Sequence, residues 1–201
     1  MSNLSNRPLI LVTNDDGIEA GGLRFLVETL LPIGDIVVVA PDRPMSGRGH
    51  AVTINQTLRM EKRQFSVEGV REAWQTSGTP VDCVKLAIYE ILGKKPDLLV
   101  SGINHGSNAS INVIYSGTMS AAVEGAVEGI PSIGFSLLNH DPEADFSACG
   151  PSIQTLAQEV LERGLPVGSC LNVNVPNIPL DAIQGIRICR QSAGYWEDAF
   201  D

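Results

Sequence analysis

The sequence predicts an α/β fold with three layers, α/β/α, in which a Rossmann-like, mostly parallel sheet lies between helices. Short apolar runs typical of buried strands alternate along the chain with segments whose apolar residues recur at helical spacing. Several of these runs end directly in glycine-rich or acidic loops. The 201 residues, of which 43% are hydrophobic, are enough for the core of a single domain spanning residues 1–201.

The first β-α-β unit follows this pattern. Residues 9–12 form an apolar run suited to a strand that is buried on both faces. Leucine and valine recur at helical spacing over residues 22–31 and predict a helix, which Pro32 and Gly34 end. The β-branched run over residues 35–40 predicts the next strand. The crossover rule makes the two strands parallel, with a right-handed connection.

The middle of the chain is less regular. Residues 51–54, 58–60 and 65–67 are typical of short strands between polar turns. Thr79 followed by Pro80 then indicates the start of a helix, because threonine is a favoured N-cap and proline is favoured at the first helical position. Apolar residues at helical spacing continue this helix to Gly93.

The second half returns to a regular alternation. It predicts strands over residues 98–100, 131–136 and 171–175, helices over residues 119–128 and 153–161, and a loop over residues 101–106. Residues 186–189 (IRIC) resemble a further strand. The aromatic segment YWEDAF at residues 195–200 has no evident place in a core.

Composition narrows the class of partner. The formal net charge of -9, from 14 Lys and Arg against 23 Asp and Glu, argues against binding along duplex nucleic acid. A polar start and the absence of an apolar stretch of about 18 residues predict a soluble, cytoplasmic protein that does not enter a membrane. The four cysteines form no Cys-x-x-Cys pair, so we interpret them as reduced, mostly buried small residues.

Two adjacent acids stand where the first predicted strand ends. Asp15 and Asp16 are followed by Gly17, at the edge where loops of an open α/β sheet form the ligand crevice. Two carboxylates held close together repel, and one takes a proton unless a cation lies between them. Taken alone, the pair fits a functional site and a helix cap or solvated acid equally well.

Two further loops supply oxygen atoms at the same edge. Ser46 lies in a loop over residues 43–49, together with Arg43 and Arg48, and Asn104 lies in the loop over residues 101–106. Each by itself is more often an ordinary loop residue. Together with the acids they form a hard ligand set of carboxylate, hydroxyl and amide oxygens, which suits Mg²⁺, Mn²⁺ or Ca²⁺ rather than a zinc site of Cys and His.

The start of the helix predicted over residues 119–128 is a candidate anion site. Ser116, Gly117 and Thr118 precede the small-residue helix, and free backbone N–H groups at such a start favour a phosphate. On its own, this tripeptide is more often only a helix cap. The chain has no GxGxxG motif after its first strand, no GxxxxGK[ST] and no GxSxG, which argues against dinucleotide binding, P-loop chemistry and a nucleophile elbow.

Five ordered blocks of the sequence resemble the SurE family of stationary-phase survival proteins. The blocks are LVTNDDGIEAGGL (residues 11–23), VVAPDRPMSGRGHAVT (38–53), TSGTPVDCV (76–84), PDLLVSGINHGSN (96–108) and YSGTMSAAVEG (115–125). The resemblance runs from the first strand to about Val175. It implies metal-dependent 5'- and 3'-nucleotidase activity with broader phosphatase action, a Rossmann-like sheet, and assembly into homodimers or homotetramers.

The resemblance also implies roles for individual residues. Asp15, Asp16, Ser46 and Asn104 correspond to the family's ligands for one divalent cation per subunit, here expected to be Mg²⁺ or Mn²⁺. Ser116, Gly117 and Thr118 lie by the family's phosphate pocket. Family members usually continue well beyond the position of Asp201, so the resemblance implies that this sequence stops short of a C-terminal segment that borders the active site.

We therefore hypothesise metal-assisted hydrolysis of phosphomonoesters, with nucleoside monophosphates as substrates. The cation would polarise a phosphoryl oxygen and lower the pKa of the attacking water. Asp15 or Asp16 is alternatively a general base or a covalent nucleophile. A rival hypothesis is a nucleotide- or anion-binding oligomer without turnover, and a weaker one is a structural subunit in which the acidic loop is only a turn.

Overall fold

The computed structural model describes residues 7–197, which form a seven-stranded sheet with helices on both faces. The strands are β1 (Leu9–Thr13), β2 (Asp35–Pro41), β3 (Met60–Arg63), β4 (Glu72–Thr76), β5 (Leu98–His105), β6 (Ser132–Leu137) and β7 (Leu171–Val175). The helices are α1 (Gly21–Leu30), α2 (Pro80–Leu86), α3 (Gly117–Val127) and α4 (Gly150–Arg163). Short 3₁₀ turns lie at Ser110–Ile114, Ser147–Cys149 and Leu180–Ala182.

The strand order places a ligand crevice at the centre of the sheet. The order is β3-β4-β2-β1-β5-β6-β7, and every neighbouring pair is parallel except β3 with β4. The chain builds outward from β1 in one direction to β2 and in the other to β5. Ligands of open α/β sheets bind at such a switch point, outside the carboxyl ends of the strands.

Side chains of β1 alternate between two hydrophobic layers, which confirms the predicted three-layer class. Ile10 and Val12 face a layer shared with α1 and α4, whereas Leu9 and Leu11 face a layer shared with α2 and α3. Alternate residues of a strand point to opposite faces, so a strand covered on both sides must be apolar throughout. This requirement explains the uninterrupted apolar runs of β1 and β2.

The expectation for residues 51–76 was wrong in part. Residues 51–54 and 65–67 form no strand, and the strands of this region are β3 and β4. The sequence EAWQT of β4 lacks an apolar run, yet β4 pairs with β2 on one side and with the exposed β3 on the other. Its pairing partners, rather than its own residues, make it a strand.

Two other segments also differ from expectation. β5 extends to His105, so Asn104 lies in the irregular end of a strand rather than in a loop. Residues 186–189 are exposed and form no strand. Within the aromatic segment, residues 195–197 are irregular and exposed, and residues 198–200 lie outside the described part of the chain.

The helix predicted from Thr79 to Gly93 is confirmed, with a change of geometry in its second half. Thr79 and Asp82 form a capping box, in which each side chain accepts a hydrogen bond from the other's backbone N–H. After α2 the chain continues as a π-helical turn over Ala87–Leu92 and ends at Gly93, whose φ of 61° is left-handed. Over residues 7–197, no helix combines the length and the apolar character needed to cross a bilayer.

Candidate functional site

Main-chain hydrogen bonds join the loops that follow β1 and β2 to the chain leading into α3. The N–H of Met45 donates to the carbonyl of Asp15 at 2.7 Å. The N–H of Gly49 donates to the carbonyl of Tyr115 at 3.2 Å. The loop over residues 42–49 therefore lies between the acidic loop and the start of α3, and backbone groups fix all three together.

The acidic loop is bent by contacts between Asn14 and Gly17. The Asn14 side-chain nitrogen donates to the Gly17 carbonyl at 2.9 Å, and the Gly17 N–H donates back to the Asn14 side-chain oxygen at 3.2 Å. Gly17 has a φ of +100°, a conformation that favours glycine. This irregular backbone allows Asp15 and Asp16 to serve one site, which adjacent residues of a regular strand cannot do.

Asp15 is buried against the start of α3. Only 3% of the residue is exposed, and its Oδ1 accepts a hydrogen bond from the Thr118 hydroxyl at 2.5 Å. A Cβ atom at Gly117 would lie 2.6 Å from the Asp15 Cβ, so only glycine permits this approach. Burial raises the pKa of Asp15, although the Thr118 hydroxyl and the backbone N–H groups of Asp15, Thr118 and Gly117 partly oppose the rise.

Asp16 lacks the hydrogen bonds that support Asp15. Its Oδ2 is buried and has no hydrogen-bond partner within residues 7–197. Burial, followed by repulsion from Asp15, raises the pKa of Asp16 to about 7. A buried carboxylate oxygen without a partner beside a second carboxylate is an arrangement that a cation would satisfy.

Asn104 is directed by a bulge in β5. The register between β5 and β6 shifts between Ser101 and Asn104, and bulges of this kind redirect side chains near functional sites. The Asn104 side-chain nitrogen lies 3.1 Å from the His105 carbonyl, 3.3 Å from the Gly106 carbonyl and 3.2 Å from the Asn108 side-chain oxygen. Because the nitrogen side of the amide faces these acceptors, the Asn104 oxygen is the atom left to meet a ligand.

An asparagine network supports Asn104 and was not foreseen from the sequence. Asn108 is buried, and its side-chain nitrogen donates to the Ser136 hydroxyl at 2.6 Å. Its backbone N–H donates to the Asn174 side chain at 2.9 Å, and its carbonyl accepts from the Asn172 side chain at 2.8 Å. The available signal was the pair Asn172 and Asn174, two positions apart in an apolar strand and therefore on one face of β7.

Ser46 is brought near the acids by its neighbour rather than by its own side chain. It follows Met45, whose N–H is bonded to Asp15, but it is exposed. Its hydroxyl has no hydrogen-bond partner in the described part of the chain. Arg43 and Arg48 are exposed in the same loop, and Arg43 lies 3.8 Å from the Asp42 carboxylate.

The start of α3 is both a helix cap and a candidate site for an anion. The Ser116 hydroxyl oxygen accepts from the Met119 N–H at 3.0 Å, which makes Ser116 the N-cap. Thr118 is fully buried and its hydroxyl is used by Asp15. The positive end of the helix dipole therefore faces Asp15, so the cap and the candidate anion site are parts of one arrangement.

The charge available at this site limits the kind of cation that fits. Within residues 7–197 no group of three or more His, Cys, Asp or Glu side chains is placed to hold a metal ion. A cation beside Asp15 and Asp16 would therefore need neutral oxygens to complete its ligands. Mg²⁺ is commonly bound by one or two carboxylates with water completing its shell, and this donor set fits it.

A second charged cluster lies further along α3. Glu124 is buried, with its Oε1 at 2.6 Å from the Lys85 ammonium and its Oε2 at 2.8 Å from His50 Nε2. Burial raises the pKa of Glu124, but hydrogen bonds from Lys85 and His50 outweigh burial and lower it overall. Because His50 directly follows Gly49, this cluster ties the end of the loop over residues 42–49 to α2 and α3.

Comparison with known proteins places these features in a family. The family described as Survival protein SurE matches residues 10–198. A protein named 5'-nucleotidase SurE from Christiangramia forsetii is 57% identical over 195 residues, covering 97% of this chain and 75% of that protein. One of the same name from Flavobacterium psychrophilum is 59% identical over 196 residues, covering 98% of this chain and 76% of that protein.

A solved structure agrees with the sheet described above. The crystal structure of the SurE protein from Aquifex aeolicus superposes with a TM-score of 0.83 at 41% identity. The match covers 92% of this chain and 73% of that one.

Proposed function

The chain belongs to the SurE family, and we propose that it is a metal-dependent 5'-nucleotidase, a hydrolase that converts nucleoside monophosphates to nucleoside and phosphate. The names of the relatives from Christiangramia forsetii and Flavobacterium psychrophilum support this activity. The observation that carries the proposal is the pair Asp15 and Asp16 at the switch point of the sheet, with one carboxylate held by the start of α3 and the other lacking a partner.

We assign the cation to Asp15, Asp16, Ser46 and Asn104. The buried Asp16 oxygen without a partner and the direction of the Asn104 amide support this assignment. When bound, a divalent cation such as Mg²⁺ or Mn²⁺ supplies positive charge that offsets the charge developing on the phosphoryl group and lowers the pKa of a nearby water. Oxygen ligands without histidine or cysteine favour these hard cations.

The two acids have different tasks in this proposal. Asp15 is held by the Thr118 hydroxyl and faces the backbone N–H groups of α3, so we assign it an orienting role. The Asp16 oxygen without a hydrogen bond is assigned to the cation, so we assign the other oxygen of this carboxylate to accept the proton of the attacking water. A covalent role for Asp16 would leave a phosphorylated intermediate, which rapid quenching with labelled substrate would trap.

We assign the phosphoryl group of the substrate to Ser116, Gly117 and Thr118. The Ser116 oxygen already accepts from Met119, so its hydroxyl hydrogen remains free to donate to a phosphoryl oxygen. The dipole at the start of α3 favours the negative charge of the phosphoryl group. Gly117 lets Asp15 approach this helix start closely, because a Cβ there would lie 2.6 Å from the Asp15 Cβ.

The activity is tested by measuring phosphate release from nucleoside monophosphates with Mg²⁺ or Mn²⁺, before and after treatment with EDTA. We expect chelation to abolish release and added cation to restore it, and the double variant Asp15→Ala plus Asp16→Ala to lose at least about a thousandfold in rate. Circular dichroism would check that the variant is folded. Turnover that survives both chelation and the double substitution would refute the metal mechanism.

The same assay distinguishes the enzyme from a binding protein that does not turn its ligand over. Binding of a nucleoside monophosphate in calorimetry, with no phosphate released under any metal condition, would favour a nucleotide- or anion-binding oligomer. The names of the relatives favour the enzyme.

The proposal also covers assembly and location. We propose a homodimer or homotetramer, because β7 pairs only with β6 within the described residues and exposed apolar side chains, among them Ile186 and Ile188, follow it. We propose a cytoplasmic location, because Cys83, Cys149, Cys170 and Cys189 are all free thiols. Cys83 and Cys149 are buried as expected, whereas Cys170 is half-buried and Cys189 is exposed.

A further inference from the structure

Two aromatic side chains lie beside the start of α3 and face solvent. The ring centroids of Tyr115 and Trp196 are 5.5 Å apart, with the ring planes inclined at 46°. Within residues 7–197, Tyr115 is 49% exposed and Trp196 is 59% exposed. Rings left this open have a free π face, on which another planar group can stack.

Hydrogen bonds hold the Trp196 ring and the backbone of Tyr115 in place. The Trp196 indole N–H donates to the Asn112 side-chain oxygen at 2.8 Å, and the Asn112 side-chain nitrogen donates to the Ser107 carbonyl at 3.0 Å. Tyr115 is held through its backbone, since its N–H donates to the Asn112 carbonyl at 3.1 Å and its carbonyl accepts from Gly49. Because its indole is hydrogen-bonded, the Trp196 ring loses little entropy when a ligand stacks on it.

The position of the aromatic pair relative to the phosphate assignment determines what could stack there. Tyr115 directly precedes Ser116, and the Cα atoms of neighbouring residues are about 3.8 Å apart. A nucleoside monophosphate carries its base one sugar away from its phosphate, so a phosphate at the start of α3 leaves the base within reach of these rings. Residues 110–118 contain no charged side chain, which suits a neutral, planar base.

We propose that Tyr115 and Trp196 form the platform on which the base of a nucleoside monophosphate stacks. This proposal rests on the proposed function and adds the part of the site that distinguishes a nucleotide from other phosphomonoesters. Stacking involves no proton and no covalent step. Stacking accepts any of the bases, because every base has a π face, and it favours the larger purines over pyrimidines.

The kinetic test compares AMP with ribose 5-phosphate, which has the sugar and phosphate but no base. We expect Trp196→Ala and Tyr115→Ala each to raise the KM for AMP about tenfold and to leave kcat and the kinetics with ribose 5-phosphate within about twofold. Trp196→Phe keeps an aromatic ring and should retain most of the affinity, whereas Trp196→Leu should not. Tyr195→Ala removes the neighbouring ring, which is 87% exposed and outside the pair, and serves as the control.

A binding test makes the outcome independent of turnover. The chain has 2 tryptophans, so the variant Trp74→Phe leaves Trp196 as the only indole fluorophore. We expect AMP to quench the fluorescence of this variant and ribose 5-phosphate to leave it unchanged.

The possible results separate the two proposals. Equal effects of Trp196→Ala on AMP and on ribose 5-phosphate, or no quenching by AMP, would overturn the aromatic platform while leaving phosphatase activity intact. Absence of phosphate release from both substrates by the wild-type protein would overturn the proposed function. In that case quenching by AMP alone would still support the platform, and its absence would overturn it.

Discussion

Asn108 contacts no assigned substrate or cation atom, yet it holds the side chain of Asn104. Its side-chain oxygen accepts from the Asn104 nitrogen, and its own nitrogen and backbone are bonded to Ser136, Asn172 and Asn174. Residues that orient a metal ligand in this way commonly affect metal affinity as strongly as some ligands do. Asn108 is therefore a positioning residue in the proposed site.

We expect Asn108→Ala to weaken Mn²⁺ binding about 10- to 100-fold, because the Asn104 amide would be free to rotate. Calorimetric titration of the metal-free protein with Mn²⁺ measures the change without relying on activity. Asn55→Ala removes an exposed asparagine from an irregular segment and is the matched control. Affinity equal to that of the wild type in folded Asn108→Ala would contradict the positioning role.

The sequence identified Asp15 and Asp16 as a pair but did not reveal how they differ. The difference arises because Thr118, which is 103 positions away in the chain, donates to Asp15, and no described residue donates to the buried oxygen of Asp16. Contacts over such separations depend on how α3 packs against the sheet, and no local pattern contains that information. Residue type and strand position could be predicted, whereas hydrogen-bond partners could not.

Among the elements, α3 supports the site through its first turn. Gly117 is the first residue of α3, as Gly21 is the first residue of α1, which provides a matched comparison. A Cβ at position 117 would lie 2.6 Å from the Asp15 Cβ, whereas a Cβ at position 21 would lie 3.9 Å from its nearest neighbour, the Phe146 ring.

We expect Gly117→Ala to reduce phosphate release about 100-fold, because the methyl group pushes α3 away from Asp15 and a displacement of about 1 Å in a catalytic site has an effect of this size. Gly21→Ala should leave the rate unchanged. Thermal unfolding would confirm that both variants are folded. Wild-type activity in Gly117→Ala would show that the approach of helix and acid is not needed for catalysis.

The cluster around Glu124 connects α3 to α2 and to the loop that carries Ser46. Ionised Glu124 is stabilised by Lys85 and His50, so its pKa is lower in the folded chain than its ordinary value of 4.5. A lowered carboxyl pKa stabilises the fold at pH values above 4.5, and this stabilisation is lost as the pH falls through the folded value.

We expect Glu124→Gln to lower the free energy of unfolding by about 1–2 kcal/mol at neutral pH, since Lys85 and His50 are partly exposed to solvent. The difference in free energy of unfolding between wild type and Glu124→Gln should narrow as the pH falls below 4.5. Urea unfolding at a series of pH values measures this difference. Glu159→Gln breaks an exposed pair with Arg163 and should change stability little. A deficit that stays constant through the acid range would refute the electrostatic explanation.

Elements defined by their own residues could be predicted, and elements defined by their partners could not. β1 and β2 have apolar or β-branched runs, β7 alternates apolar residues with asparagine, and α1 and α4 have helical spacing, so the sequence predicted them to within a few residues. β4 depends on pairing with β2, and the bulge in β5 depends on its register with β6. This bulge directs Asn104, so its geometry escaped prediction even though the residue itself was identified.

For the whole molecule, the open edge of the sheet is the expected place of assembly. β7 ends the sheet within residues 7–197, and Ile188 beyond it is fully exposed. Exposed apolar side chains next to an unpaired strand edge favour association with a second copy.

We expect sedimentation equilibrium to give at least twice the mass of one chain and the melting temperature to rise with protein concentration. Ile188→Glu should shift the distribution toward monomer, because a charge would have to be buried in the interface. Ile54→Glu alters an isoleucine that is also exposed but lies far along the chain from β7, and it should not affect assembly. A monomer at all concentrations would refute the proposed assembly.

The loops around the crevice are joined through backbone atoms, from Met45 to Asp15 and from Gly49 to Tyr115. Every amino acid except proline offers the same backbone N–H, so the joint at Met45 does not require one particular side chain. Gly49 is the exception, because its φ is +54° and a Cβ there would lie 2.7 Å from the Ile114 carbonyl oxygen. Both joints also depend on the number of residues between them, so insertion or deletion of a single residue between Met45 and Gly49 would shift the two donors out of register.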